Sequence, residues 1–144
     1  MVSRIIPVET FDLVIFGGTG DLARRKILPA LFKRFCSGQM PEASQVIGAA
    51  RRELSTEEYR ASVAQALREF ASSAAEDDAA VEAFCAHVHY VAVDARGEGG
   101  WSDLSQLLNS DSVRAFYFSV GPGVYSDLAK GLKRHGLPQS DTRI

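Results

Sequence analysis

Cysteines, and with them the usual zinc-ligand patterns, are scarce in this sequence. Its 144 residues include only two cysteines, Cys36 and Cys85, which lie far apart and show no metal-ligand spacing. We therefore expect both to be reduced residues of the core, rather than a disulfide or a zinc site. No metal site is predicted.

Long hydrophobic runs and a strong net charge are also lacking. No stretch approaches the roughly 18 apolar residues of a membrane-spanning helix, and the first residues lack the apolar core of a signal peptide. The formal net charge is -2, so no overall field attracts nucleic acid or an anionic membrane. These absences predict a cytoplasmic protein that binds neither.

The sequence does contain a regular alternation of strand and helix patterns. It is 46% hydrophobic and 24% charged, which is typical of an ordinary globular domain. Strands are predicted at residues 11–16, 45–50, 90–93 and 113–120, with amphipathic helices between them. This order predicts an α/β fold, a Rossmann-like doubly wound parallel sheet. Residues 143–144 resemble the first step of a fifth strand, so we expect the sheet to be truncated there.

A glycine-rich turn follows the first predicted strand. Gly17, Gly20 and Ala23 have the spacing of a dinucleotide-binding turn. The first glycine allows a tight turn, the second lets the backbone approach a pyrophosphate, and the small third residue lets the helix pack close to the strand. The helix N-terminus adds free N–H groups, and Thr19 adds a hydroxyl. A tight strand–helix turn without a ligand is the alternative interpretation.

The end of the second predicted strand bears on the choice between NADP and NAD. NAD-binding domains of this type usually carry an acid here, which hydrogen-bonds the ribose 2′-hydroxyl. This strand is followed by Arg51 and Arg52, and a guanidinium can bind a 2′-phosphate in a bidentate manner. The pattern favours NADP. Glu53 is close enough to act as an NAD-type acid, and a solvated arginine pair is the other alternative.

Several motifs resemble the coenzyme-binding domain of the glucose-6-phosphate dehydrogenase family. They are FGGTGDLARRKILPALF at residues 16–32, GAAR at residues 48–51, YVAVDA at residues 90–95 and FYFSVGPGVY at residues 116–125. The resemblance covers nearly the whole chain, and its first motif is highly specific.

The resemblance implies roles for individual residues. Arg51 would hold the 2′-phosphate of NADP, and Tyr125 would contact the coenzyme beside the nicotinamide. Asp94 and Ala95 would border the adenosine, and Lys26 would lie near the sugar-phosphate substrate. The residues implied around the pyrophosphate are Gly17, Gly18, Thr19, Gly20, Asp21, Leu22, Ala23 and Arg24.

The resemblance also implies an activity. The full-length enzyme would oxidise glucose 6-phosphate at C1 to 6-phosphogluconolactone, pass the hydride to NADP, and so catalyse the first step of the oxidative pentose phosphate pathway. The family's later motifs E-K-P-x-G and R-I-D-H-Y-L-G-K-E are absent from this sequence, and none of its histidines matches the family's proton-accepting histidine. We therefore expect residues 1–144 to form an NADP-binding domain that is incomplete at its C-terminal end and contains no catalytic residue.

Two other interpretations come from different classes of protein. The first is a stand-alone NADP-binding regulatory module that performs no chemistry. The enzyme, by contrast, would have a separate substrate domain, absent here, through which the full-length protein forms a homo-oligomer. An unrelated short-chain reductase is disfavoured because no Tyr-x-x-x-Lys pair is present: the residue four positions after Tyr125 is Ala129, and the residue four positions after Tyr117 is Gly121.

Overall fold

A parallel sheet forms the centre of the computed structural model, which describes residues 9–71, 75 and 77–137. Its four strands are β1 (Phe11–Phe16), β2 (Gln45–Ala50), β3 (Val88–Ala92) and β4 (Val113–Phe118), in the order β3-β2-β1-β4. Phe16 pairs with Ala49 on one side and Phe118 on the other. The carboxyl ends of all four strands therefore lie at one edge of the sheet. The expected fifth strand at residues 143–144 lies outside the described residues.

Helices cover both faces of this sheet. In chain order they are a π-helical turn (Ala23–Ile27), α1 (Leu28–Cys36), α2 (Thr56–Phe70), α3 (Asp78–Cys85), α4 (Trp101–Leu107), a 3₁₀ turn (Pro122–Val124) and α5 (Tyr125–Arg134). Helices α1 to α3 pack on one face, and α4 and α5 pack on the other. The predicted doubly wound α/β fold is confirmed. In the described part of the chain, no helix has both the length and the apolar character needed to cross a membrane.

Each face of the sheet has its own hydrophobic core. Ile15 faces the helices α1 to α3. There the rings of Phe32 and Phe84 pack edge to face, with their centroids 5.6 Å apart. Its neighbour Phe16 points to the opposite face and packs against Trp101, with the two ring centroids 5.8 Å apart. Successive side chains of a strand alternate between faces, so a strand that is covered on both sides reads as a continuous apolar run.

Asp12 is the polar exception in β1, and it is fully buried. Its carboxylate accepts hydrogen bonds from Gln45 Nε2 at 2.9 Å and from the backbone N–H of Asn109 at 2.7 Å. A buried carboxylate must be paired in this way to offset its loss of hydration. Asp12 therefore joins β1, β2 and the loop after α4 at the amino ends of the strands, far from the edge described above.

Two local features of the helices agree with the sequence. Pro29, which has no N–H to donate, coincides with an interruption of the first helix: the π-helical turn ends at Ile27, and Pro29 is the second residue of α1. The sequence STEE at residues 55–58 also forms a capping box at the start of α2: Glu58 N donates to Ser55 Oγ at 3.0 Å, and Ser55 N donates to the Glu58 carboxylate at 3.1 Å.

Other expectations were wrong. Strand β3 begins at Val88 rather than Tyr90, because the pairing of Val46 N with His87 O at 2.9 Å already joins this segment to β2. Strand β4 ends at Phe118, two residues before the predicted end at residue 120. Cys85 is buried as expected, but Cys36 is exposed at the last residue of α1, so it is not a core residue.

Candidate functional site

The candidate site lies where the strand order reverses. Strand β2 pairs with one side of β1 and β4 pairs with the other, so the connections after β1 and β4 leave on opposite faces of the sheet. This reversal leaves a crevice at the carboxyl ends of the strands, where open α/β sheets bind their ligands. The sequence-predicted residues fall on the segments that follow these four strands.

The turn after β1, residues 17–20, is closely packed against its neighbours, and we call it the glycine turn. Gly17 has φ +83°, and a Cβ there would lie 2.0 Å from the carbonyl oxygen of Ser119. A Cβ at Gly18 would lie 2.9 Å from Gly48 Cα. The backbone N–H of Gly17 donates to Ala49 O at 2.8 Å. Only residues without a side chain fit at Gly17 and Gly18.

The glycine turn and the first two residues of the helix after it present unpaired backbone N–H groups. The N–H of Gly20 donates to Gly17 O at 2.9 Å, and the first helical bond runs from Arg24 N to Gly20 O at 3.2 Å. In the residues that the structure describes, the N–H groups of Thr19, Asp21 and Leu22 have no acceptor. Free N–H groups at a helix N-terminus carry a partial positive charge and suit an anion such as a phosphate.

The side chains around the glycine turn divide into buried and exposed groups. Ala23 is fully buried, so the helix packs directly against the sheet, as its small size predicts. Leu22 is exposed, and Thr19 is half-buried. Asp21 is exposed, and its carboxylate accepts a hydrogen bond from Arg25 Nε at 2.8 Å. That bond raises the pKa of Arg25 above its usual value. The neighbouring cation thus offsets the negative charge of Asp21.

Two further cations belong to this region. Arg24 is half-buried, and its Nε has no hydrogen-bond partner among the residues with described positions. Lys26 is exposed in the π-helical turn. No ion pair joins the Lys26 amine to any acid in the described ranges. The structure thus leaves both cations available beside the glycine turn.

The segment after β2, residues 51–53, carries the two arginines, and we call it the arginine segment. Arg51, Arg52 and Glu53 are all exposed. Neither guanidinium has a hydrogen bond or an ion pair within the described part of the chain. The carbonyl oxygen of Arg52 is held by the hydroxyl of Tyr90 at 2.5 Å. The backbone is therefore fixed while the charged side chains are free.

The loop after β3 carries Asp94 and Ala95. Arg51 and Asp94 line the same cavity, of about 710 Å³, which runs along the outer edge of β3. The Asp94 carboxylate accepts a hydrogen bond from Arg96 N at 3.0 Å, and the Asp94 carbonyl oxygen accepts one from Trp101 Nε1 at 2.9 Å. Ala95 is half-buried against the core of the second face. These bonds give the loop a defined shape.

Tyr125 lies on the other side of β1 from the arginine segment. It begins α5 after β4, is 44% exposed, and its ring centroid lies 5.8 Å from that of Phe118. The structure therefore spreads the predicted residues along one edge of the sheet. Asp94 and Arg51 lie at the β3 and β2 end, the glycine turn lies in the middle, and Tyr125 lies at the β4 end.

The sequence analysis did not assign to this candidate site two tyrosines that contact it in the structure. Tyr59 donates its hydroxyl hydrogen bond to Gly18 O at 2.8 Å, and its ring centroid lies 4.9 Å from that of Tyr90. Gly48 was a signal in the sequence that could have indicated this contact, because a glycine inside a strand often marks a place where another group approaches the backbone closely. Here that group is the Tyr59 ring.

Across the described ranges, no cluster of three or more His, Cys, Asp or Glu side chains could hold a metal ion.

A parallel sheet with a glycine turn and unpaired N–H groups at its strand-order reversal defines a Rossmann-type dinucleotide-binding domain. The family model "Glucose-6-phosphate dehydrogenase, NAD binding domain" matches residues 14–144. The chain belongs to the glucose-6-phosphate dehydrogenase family, as its motifs predicted.

Named relatives agree with this assignment. The chain is 49% identical to glucose-6-phosphate 1-dehydrogenase of Rhizobium meliloti (strain 1021), over 100% of this chain and 30% of the relative. It is 43% identical to the protein of that name from Gluconobacter oxydans (strain 621H), over 95% of this chain and 29% of the relative. The chain therefore spans about 30% of the length of these curated relatives.

Solved structures show the same fold. A glucose-6-phosphate dehydrogenase in complex with its substrate glucose-6-phosphate superimposes with a TM-score of 0.80 at 29% identity, covering 99% of this chain and 30% of that one. The glucose-6-phosphate 1-dehydrogenase of Mycobacterium avium gives a TM-score of 0.82 at 24% identity, covering 94% of this chain and 29% of that one. The second likeness is evidence for the fold alone.

Proposed function

We propose that this chain is the NADP-binding part of an enzyme that oxidises glucose 6-phosphate at C1 to 6-phosphogluconolactone, the first step of the oxidative pentose phosphate pathway. The observation that carries this proposal is the position of the glycine turn beside the arginine segment. Unpaired N–H groups suit a pyrophosphate, and the unpartnered Arg51 guanidinium on the adjacent strand end suits a 2′-phosphate.

Each part of the coenzyme has a set of candidate residues. The N–H groups of Thr19, Asp21 and Leu22 would bind the pyrophosphate. The other residues proposed around the pyrophosphate are Gly17, Gly18, Gly20, Ala23 and Arg24. Arg51 would bind the 2′-phosphate, and the cavity that it shares with Asp94 supports an adenosine site bordered by Asp94 and Ala95. Tyr125, at the β4 end, would lie on the nicotinamide side.

The reaction removes a hydride from C1 of the sugar and a proton from its C1 hydroxyl, leaving the C=O group of the lactone. When bound, the nicotinamide ring supplies the hydride acceptor. This chain contributes binding and orientation, with Lys26 beside the sugar phosphate. The proton acceptor is a histidine outside these residues, in a substrate domain through which the full-length protein forms a homo-oligomer in the cytoplasm. The NADP-binding domain itself would continue beyond residue 144.

Selective loss of NADP affinity in Arg51→Ala tests the coenzyme proposal. Removing a charge-assisted contact should weaken NADP binding by about 1.5–3 kcal/mol, while NAD, which lacks the 2′-phosphate, should change little. Calorimetric titration of both dinucleotides gives the two affinities. Arg34→Ala is the matched control, because Arg34 is also exposed but lies in the last turn of α1. Equal losses for NADP and NAD would contradict the role of Arg51.

Dehydrogenase activity tests whether residues 1–144 supply only coenzyme binding while the rest of the protein supplies the catalytic base. Residues 1–144 alone should not reduce NADP with glucose 6-phosphate, because a base and a substrate site at near-attack distance are needed as well. The full-length protein should be active in the same absorbance assay, after purification from host dehydrogenase. Turnover by residues 1–144 that disappears in Lys26→Ala would show that the catalytic base has been misplaced. An inactive full-length protein that still binds NADP would favour a regulatory module.

A further inference from the structure

Two buried tyrosines lie between the glycine turn and the arginine segment. Tyr59 on α2 is 1% exposed and Tyr90 on β3 is 6% exposed. Their ring centroids are 4.9 Å apart, with an interplanar angle of 35°. The Tyr59 ring covers Gly48 so closely that a Cβ there would lie 2.4 Å from it. The pair therefore packs as one unit over β2 and β3.

The hydroxyl of Tyr59 determines how one peptide of the glycine turn is oriented. It donates to Gly18 O at 2.8 Å, while Gly18 N donates to Ala49 O at 3.3 Å. The described chain has no cis peptide bond, and in a planar trans peptide the C=O and the following N–H point in opposite directions. Because Gly18 C=O points to Tyr59, the N–H of Thr19 must point away from the core. That N–H is one of the unpaired donors of the turn.

The hydroxyl of Tyr90 performs the corresponding task for the arginine segment. It donates to Arg52 O at 2.5 Å, and Ala50 O lies farther away at 3.4 Å. The backbone N–H of Tyr90 donates to Thr56 Oγ1 at 3.3 Å, so β3 also holds the start of α2. The segment between β2 and α2 is thus anchored at its middle and at its end. The exposed Arg51 side chain extends from this anchored backbone.

Both hydroxyls must stay protonated to donate. Burial raises the pKa of Tyr59 above its usual range, and burial together with the nearby Glu53 raises the pKa of Tyr90. Each phenol therefore remains a hydrogen-bond donor at neutral pH.

We propose that Tyr59 and Tyr90 are positioning residues of the dinucleotide site. Tyr59 orients the glycine turn for the pyrophosphate, which NAD and NADP share, and Tyr90 orients the arginine segment for the 2′-phosphate, which only NADP has. This inference rests on the proposed NADP function. It assigns two separate effects to two hydroxyls whose rings are in contact.

The test removes each hydroxyl and keeps each ring. Tyr59→Phe and Tyr90→Phe are made in the full-length protein, and NADP and NAD affinities are measured by calorimetry. Losing one orienting hydrogen bond should weaken binding about threefold to tenfold. Tyr59→Phe should weaken NAD and NADP equally, whereas Tyr90→Phe should weaken NADP and leave NAD within about twofold. Tyr117→Phe is the control, because Tyr117 is 45% exposed on β4.

A second measurement separates positioning from general destabilisation. In an Arg51→Ala background, Tyr90→Phe should no longer change NADP affinity, because the group through which it acts is gone. Tyr59→Phe should still weaken both dinucleotides in that background. Circular dichroism and thermal unfolding check the fold, and if Tyr59→Phe does not fold, Tyr90→Phe alone decides the inference.

The outcomes distinguish this inference from the proposed function. If Arg51→Ala loses NADP selectively but Tyr90→Phe weakens NAD and NADP equally, the positioning role is wrong and the NADP site stands. An unchanged NADP affinity in Tyr90→Phe overturns the positioning role as well. If the unaltered protein binds neither dinucleotide, both proposals are wrong.

Discussion

The glycine turn and the arginine segment lie side by side at the ends of β1 and β2, but the structure holds them in different ways. The glycine turn is restrained at several points: Gly17 N donates to Ala49 O, Gly18 O accepts from Tyr59, and Ser119 O occupies the space that a Cβ of residue 17 would need. The arginine segment has one anchored carbonyl, that of Arg52, and its side chains extend freely.

This difference follows from the donors that each region offers. A backbone N–H group cannot move independently of the main chain, so a set of them binds a phosphate only where the main chain is held in one conformation. A guanidinium has a flexible stem and needs only an anchored starting point. Substitutions in the glycine turn should therefore affect folding or all binding, whereas substitutions in the arginine segment should affect affinity for one ligand.

The largest effect is expected for Gly17→Ala. Its left-handed φ costs an alanine about 1–2 kcal/mol, and the Cβ would also meet Ser119 O at 2.0 Å, which forces the end of β4 to move. We expect the free energy of unfolding to fall by about 4 kcal/mol or more, measured by urea denaturation.

Gly38→Ala is the matched control for this prediction. Gly38 also has a positive φ, +73°, but nothing lies within 4 Å of a Cβ there. Its cost should be the conformational part alone, about 1–2 kcal/mol. Equal losses in the two variants would mean that the contact with β4 does not restrain the glycine turn.

Gly20→Val should separate binding from folding inside the glycine turn. Gly20 has no left-handed φ, and a Cβ there would meet only Gly17 O, at 3.1 Å. The fold should survive, whereas the side chain would block the approach of a pyrophosphate. Dissociation constants for NAD and NADP should both rise at least about 100-fold, or about 2.7 kcal/mol, measured by fluorescence titration with circular dichroism as the fold control. Retained affinity in a folded variant would remove this glycine from the site.

The smallest effect is expected for Arg52→Ala. The contact that Arg52 makes comes from its backbone carbonyl, which alanine retains, and its exposed guanidinium has no partner within the described residues. NADP affinity should change by about threefold or less, against the larger loss for Arg51→Ala. If calorimetry shows a larger loss of NADP affinity for Arg52→Ala than for Arg51→Ala, then Arg52 rather than Arg51 binds the 2′-phosphate.

Local patterns were enough to predict much of the fold around the candidate site. Strands β1 and β2 have the predicted bounds because an apolar run ends at a clear break in each case. The interruption at Pro29 and the Ser55 capping box follow from the chemistry of single residues and their near neighbours. The start of β3 was misplaced because Val88 fits a helix face and a strand equally well, and pairing with β2 decides between them.

The sequence by itself determined the glycine turn, the arginines after β2 and the start of α2 at its capping box, because each depends on residues a few positions apart. The tertiary structure alone decided that these segments are neighbours, that Cys36 is exposed, and that the hydroxyls of Tyr59 and Tyr90 donate hydrogen bonds to Gly18 and Arg52. The bond from Tyr59 to Gly18 joins residues 41 positions apart, and the bond from Tyr90 to Arg52 joins residues 38 apart. Such contacts exist only after parallel strands have paired through long crossovers, so no local propensity predicts them.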